Sequence, residues 1–267
     1  MTPDQAPPEH IRLSVTRNGP VAHILLDNPG RKNAVNLATW RRLARELDEL
    51  GRDGVTRAIV LSGAAGDFCA GADISEFDAV RRDAATARDY EAANSNAFRA
   101  LRDSALPVIA AIGGICYGGG FGIAAACDLR IASADARFAV PAARLGLAYP
   151  ADAMTDIVRS SGDQMARYLT MTAATIGAAA AHRAGFLLEL VDKAALLDRA
   201  NEIAATIAAN APLSIRASRL AIGAATTGDT ALIANARKAG DATFESADYA
   251  EGRSAFRERR KPVFSGK

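Results

Sequence analysis

The stretch ALPVIAAIGGICYGGGFGIAAAC, residues 105–127, carries no charge and decides how the chain is read. Its length alone would let a helix cross a bilayer. It contains Pro107 and six glycines, however, among them the run Gly118, Gly119, Gly120. These break it into a short apolar strand, Val108–Ile112, then a turn, then a short apolar helix over 121–127. A buried strand–turn–helix in a soluble chain is therefore expected, and no membrane span.

Outward from that stretch the pattern continues. Residues 58–61 are short and wholly apolar, as expected of a strand covered on both faces, and 129–132 read as a further buried strand. Nearer the start, Ile11, Leu13 and Val15 alternate with Arg12, Ser14 and Thr16, the period of a strand with one wet face. Asn18-Gly19 offers a hairpin turn into Val21–Leu26. Leu37, Trp40, Leu43, Leu47 and Leu50 share one helical face, with Asn36 as N-cap and Gly51 as the expected stop. A polar, acidic helix is expected over 83–102. Beyond about Ala153 the text turns Ala-rich and helical, and Asn210 with Pro212 marks one helix start. Strands followed by a helix recur through the N-terminal half, without a linker or an exact repeat.

Composition narrows the function classes. The 267 residues are 49% hydrophobic and 23% charged, an ordinary globular balance that excludes a largely disordered chain. With 32 basic against 30 acidic residues there is no general reason to expect nucleic acid or an anionic membrane as partner. Cys69, Cys116 and Cys127 lie far in sequence from His10, His23 and His182 and form no ligand-spaced cluster, so no metal site is expected. Sparse, odd cysteines without a signal peptide favour the cytoplasm, and the polar first nine residues read as a frayed terminus.

Several sites are excluded by spacing. The sequence holds neither GxxxxGK[ST] nor GxSxG, and its glycines fit GxGxxG at no offset. The run at 118–120 then has two explanations. It is a tight turn where backbones pack closely, or it bares main-chain N–H groups at a helix N-terminus, where unpaired donors and the helix dipole favour negative charge. A second small-residue loop, Cys69-Ala70-Gly71-Ala72-Asp73, follows the strand at 58–61 and also leaves amides uncovered. Two such amides converging on one carbonyl oxygen make an oxyanion hole, each donor worth about 3 kcal/mol.

Phe68-Cys69-Ala70-Gly71-Ala72-Asp73-Ile74 and Gly118-Gly119-Gly120, with Cys127-Asp128-Leu129-Arg130 downstream, resemble the enoyl-CoA hydratase/isomerase (crotonase) superfamily. So do Arg31-Lys32-Asn33-Ala34 near the start, and Glu251-Gly252-Arg253-Ser254-Ala255-Phe256 with Arg260-Lys261-Pro262 near the end. The resemblance spans nearly the whole chain, in order. It implies an α/β crotonase-like fold: a spiral of ββα units over 1–195, then a helical trimerisation region over 196–267, assembled as homotrimers or homohexamers. It also implies a lyase or isomerase of fatty-acid metabolism, with an acyl-CoA thioester as substrate or ligand and no further cofactor. The thioester oxygen would lie between the N–H of Ala72 and the N–H of Gly119.

By the same resemblance Arg31, Lys32, Ala34, Ala70, Asp73 and Ile74 fall on the segments that lie along CoA. Arg260 and Lys261 match a basic patch that meets its phosphates, although each charged pair reads equally well as solvated surface. Ser75 stands where many relatives carry a lysine. Gly122, Ala142, Leu145 and Tyr149 fall in the acyl pocket, where Tyr149 either donates a hydrogen bond or packs against the acyl chain.

Hydration of an enoyl thioester needs a base to activate water and an acid to protonate the α-carbon. The two glutamates that hydratases of the family use correspond here to Gly122 and Ala142, neither of which can carry a proton. Weak or atypical hydratase chemistry is therefore expected. Asp152, the only acid on the loop 146–152, is either the N-cap of the following helix or a substitute proton-transfer group. Asp73 reads as a structural cap and Cys69 as buried packing. Two functions stay open: an acyl-CoA enzyme that works by oxyanion stabilisation, and a non-catalytic acyl-CoA carrier that kept the cradle without the acids.

Overall fold

The computed structural model describes residues 12–267. Ile11, His10 and the nine residues read as a frayed terminus lie outside them. β1 (Leu13–Asn18) and β2 (Val21–Leu26) form the expected antiparallel hairpin across Gly19-Pro20. α1 (Leu37–Arg52), β3 (Ala58–Gly63), the one-turn α2 (Phe77–Val80) and α3 (Ala84–Arg102) follow. The uncharged stretch becomes β4 (Val108–Ile112), β5 (Ile115–Tyr117) and α4 (Gly119–Ala126). Next come β6 (Leu129–Ser133), β7 (Arg137–Ala139), α5 (Ala151–Ser161), α6 (Asp163–Thr172), β8 (Ile176–Gly177), α7 (Ala178–Arg183) and β9 (Glu189–Val191). The chain closes with α8 (Leu196–Ala208), α9 (Pro212–Thr227), α10 (Thr230–Thr243) and α11 (Ala247–Glu258). Among the described residues no helix is long and apolar enough to cross a membrane.

The strands form two sheets. Six run in the order β1-β2-β3-β4-β6-β9, parallel from β2 onward, and three in the order β5-β7-β8. The large sheet is covered on both faces, which is why its strands read as unbroken apolar runs. Ala22, Ile24, Ile59, Leu61 and Ala110 face a core shared with α1, α3 and α4. Val21, Val60, Ile109 and Ile131 face Leu196, Ala200 and Ala204 of α8. The first helix of the 196–267 segment thus packs on the sheet itself.

Local sequence explains the helices that matter for the site. Asn36 caps α1 by accepting from the Thr39 N–H at 2.8 Å, and the helix buries Trp40, Leu43, Leu47 and Leu50. Gly51 does not stop it. The helix continues through Arg52, and Gly51 lies against Ala105, where a side-chain carbon would meet the Ala105 Cβ at 3.3 Å. Asp83 and Thr86 form a capping box that starts α3 where expected. α4 begins at Gly119, two residues earlier than its apolar text suggests, because Gly118 takes the cap position at φ +49°.

Charge ties α9 to the sheet. The Arg219 guanidinium donates to the Asp128 carboxylate at 2.7 Å and to the carbonyls of Ser104 and Arg102, while Asp128 also accepts from the Val108 N–H at 2.8 Å. Arg219→Ala removes the charged donor from Asp128 and from both carbonyls and is expected to destabilise the fold by about 2 kcal/mol in urea unfolding, the scale for hydrogen bonds to a charged group. A loss below about 0.5 kcal/mol, the range of ordinary surface substitutions, would contradict this role.

Candidate active site

Two backbone ladders hold the loop at residues 69–73. On one side the Val35 N–H donates to the Gly71 carbonyl at 2.8 Å, Asp73 N–H to Val35 at 2.9 Å and Ala70 N–H to Lys32 at 2.9 Å. On the other, Cys69 pairs with Cys116 of β5, its N–H donating to the Ile115 carbonyl at 2.8 Å. The 69–73 loop alternates like a strand, so the Ala72 N–H turns away from the Val35 ladder that its neighbours engage. It has no backbone acceptor among the described residues. Asp73 behaves as the expected cap, accepting from the Ser75 N–H at 3.1 Å and hydroxyl at 2.7 Å, and the Arg31 guanidinium lies 3.5 Å from it.

The second free amide comes from α4. Gly119 is the first helical residue, so its N–H has no acceptor within the helix and sits at the positive end of the dipole. Close approach explains the glycines. A methyl at Gly119 would press on the Trp40 ring at 2.9 Å, and one at Gly120 would overlap the Cys69 carbonyl. Trp40 is itself fixed, its indole N–H donating to the Tyr90 hydroxyl at 3.0 Å and its ring set edge-on to Phe98 at 5.5 Å. The loop and the helix start touch: a side-chain carbon on Gly71 would meet the Gly119 nitrogen at 3.1 Å, and one on Gly119 the Ala72 nitrogen at 3.5 Å. The structure brings the two amides to one gap.

That gap opens into a cavity of about 120 Å³. Of the residues expected at the site, Ala70, Ala72, Ile74 and Gly119 line it at the loop and helix start, and Ala142, Leu145 and Tyr149 line it opposite. Gly122 lies just behind the wall, one helical turn into α4, facing Tyr149 and Phe98. Arg31, Lys32, Ala34, Asp73, Arg260 and Lys261 do not line the cavity. Ala34 is buried. The Arg260 guanidinium pairs with Glu251 at 2.6 and 2.8 Å and with Glu258 at 2.7 Å, and its bonds to Glu251, with that of the Val263 N–H, hold the Glu251 carboxyl down to about 2.

Asp152 is not brought to the cavity. It is exposed in the first turn of α5, and Pro150, not Asp152, occupies the cap position. The carboxyl that does line the cavity is Glu91 of α3, which is not among the residues expected from the sequence. Burial raises its pKa, an effect that the nearby Arg81 opposes. The Arg81 guanidinium lies 2.5 Å from one Glu91 oxygen and stacks over the rings of Phe77 and Tyr90 at 4.4 and 4.5 Å. Asn94, only 5% exposed, and Phe98 continue the same wall. The i, i+3, i+7 spacing of Glu91, Asn94 and Phe98 was the available signal. Cys69 is no nucleophile: burial pushes its thiol up to about 12, and its sulfur accepts from the Gly71 N–H at 3.3 Å.

Comparison with known proteins extends this likeness over the chain. Residues 16–267 match the family model described as enoyl-CoA hydratase/isomerase. The short-chain-enoyl-CoA hydratase of Clostridium acetobutylicum is 35% identical over 248 residues, covering 92% of this chain and 94% of that protein. The crotonyl-CoA hydratase of Syntrophomonas wolfei is 32% identical, covering 92% and 95%. Among solved structures, a putative enoyl-CoA hydratase/isomerase family protein from Hyphomonas neptunium superposes with a TM-score of 0.91 at 32% identity, covering 96% of this chain and 98% of that one. With a crotonase-like fold along almost its full length and a family model that spans residues 16–267, the chain belongs to the enoyl-CoA hydratase/isomerase family.

Proposed function

We propose that the protein binds an acyl-CoA thioester with its carbonyl oxygen between the Ala72 and Gly119 N–H groups, and that it stabilises the enolate formed when the α-carbon loses a proton. The observation that carries this is the pair of unpaired amides at one gap above an acyl-sized cavity. Fixed donors aimed at developing negative charge need no reorganisation during the reaction. Arg31 and Lys32 lie beside the loop on the segment proposed to follow the CoA moiety. Lys261 is exposed and is the better candidate for a phosphate contact, since Arg260 is held by Glu251 and Glu258. Exposed Ile222 on α9, Phe244 just past the end of α10 and Phe256 on α11 favour assembly with further copies of the chain.

Water addition is the reaction this cavity supports least. Gly122 and Ala142 carry no proton at the two positions matched to the hydratase glutamates, and the space beside Gly122 is filled. Any Cβ there would overlap the Tyr149 hydroxyl and approach Phe98 Cζ at 2.7 Å. Glu91 is the carboxyl left in the cavity wall, so proton transfer at the α-carbon is assigned to it in place of Asp152. As a base it acts when ionised, so the rate falls as pH drops through its raised pKa.

Exchange of α-protons of butyryl-CoA in D₂O, followed by NMR, tests this assignment. The protein is expected to catalyse exchange, and Glu91→Gln to slow it about 10²-fold or more, the lower range for losing a general base. Binding without exchange would favour the non-catalytic carrier. Crotonyl-CoA is expected to be hydrated only at trace rates; rapid loss of its conjugated-thioester absorbance would overturn the conclusion drawn from Gly122 and Ala142. Gly122→Glu should not restore hydration, and overpacking against Tyr149 and Phe98 should cost about 1–3 kcal/mol of stability. A stable, hydrating variant would contradict the steric account.

A further inference from the structure

Tyr149 donates its hydroxyl proton to the Gly118 carbonyl oxygen at 2.9 Å. That carbonyl belongs to the same peptide group as the Gly119 N–H. We infer that Tyr149 is a positioning residue of the oxyanion hole, orienting and polarising the Gly118–Gly119 peptide so that its N–H is a stronger donor to the thioester oxygen. The inference rests on the thioester site proposed above and names what sets the strength of one of its two donors.

The peptide needs such a restraint. It joins two glycines, the residue type with the least torsional preference, and Gly118 holds an unusual conformation at φ +49°, ψ −116°. No side chain on either residue helps to fix it. The Gly118 N–H donates to the Ala139 carbonyl at 2.9 Å, which anchors the near end. At the far end the Gly118 carbonyl accepts from the Gly122 N–H at 3.1 Å and from Tyr149, and only the Tyr149 bond comes from outside the turn. A donor on a peptide oxygen withdraws electron density from the nitrogen, so hydrogen bonds in a chain strengthen one another. Here the chain runs from the Tyr149 hydroxyl through the peptide to the substrate oxygen.

Two further features agree. Burial pushes the Tyr149 hydroxyl well above its ordinary pKa, so it remains a proton donor across the physiological range. Gly122 is the residue that makes room: a side chain there would overlap the Tyr149 oxygen. The position matched to a hydratase carboxylate is thus given over to a neutral donor that acts through the backbone.

Infrared difference spectra of butyryl-CoA labelled with ¹³C at the thioester carbonyl report polarisation of that bond directly. Bound to the unaltered protein, the carbonyl band is expected to fall below its frequency in water. Tyr149→Phe should remove a clear part of that displacement and slow α-proton exchange by about tenfold, less than the 10²–10³ that follows loss of an oxyanion donor itself. The unfolding temperature should change little, and affinity for butyryl-CoA should fall by less than the exchange rate does. As a second variant, 3-fluorotyrosine at 149, a more acidic donor of nearly the same shape, should displace the band further. An unchanged band in Tyr149→Phe, or no further displacement with the fluorinated residue, overturns the inference. Absence of any displacement in the unaltered protein overturns the thioester site itself, and this assignment with it.

Discussion

Everything at the site depends on keeping two backbone N–H groups unpaired at the edge of a packed core. Amides inside a fold normally find partners, and these two, on half-buried residues, go without one at a cost of at most about 1–3 kcal/mol. The fold meets that cost by holding each donor in a segment whose neighbours are fully bonded. Residues 70, 71 and 73 are tied to the strip at 32–35, and Cys69 to β5. Gly119 is kept free by being the first residue of α4, where a helix cannot supply an acceptor. Neither donor can turn to a protein partner without breaking the ladder or the helix that holds it.

Packing then sets how close the two segments come. Trp40, immobilised by Tyr90 and Phe98, leaves space only for a glycine at 119, and the Cys69 carbonyl only for one at 120. The same aromatic wall continues to Gly122, where Phe98 and the Tyr149 hydroxyl fill what a larger side chain would need. The absence of carboxylates at 122 and 142 is therefore built into the surrounding packing at the first of these positions. An acid appears elsewhere, as Glu91 on α3.

Much of this was legible in the sequence, for identifiable reasons. Strands covered on both faces announce themselves as unbroken apolar runs, and Val21–Leu26 and Val108–Ile112 fall where that pattern places them. Asn36 and Asp83 cap the helices they precede because capping is a local event. The loop at 69–73 and the glycine run at 118–120 stood out by composition, and the fold sets them side by side. What was hidden is set by tertiary contact. The strands β5, β7, β8 and β9 span two or three residues each, too few for a period to show. Gly51 reads as a stop but is a contact with Ala105. Asp152 ends up exposed and Glu91 in the cavity wall, and only the helical spacing of Glu91 with Asn94 and Phe98 hints at the difference. That Arg260 is held by Glu251 and Glu258 depends on how the tail folds back on α11.

The central claim is that one thioester oxygen is shared by two amides from separate segments. A crystal structure of the protein with a stably bound acyl-CoA tests it most directly. The account predicts the carbonyl oxygen at about 2.7–3.2 Å from both the Ala72 and the Gly119 nitrogen, the range of ordinary N–H···O bonds, with the acyl chain running past Tyr149 and α3. A carbonyl oxygen bonded to neither nitrogen, or an acyl group lodged outside this cavity, would contradict it.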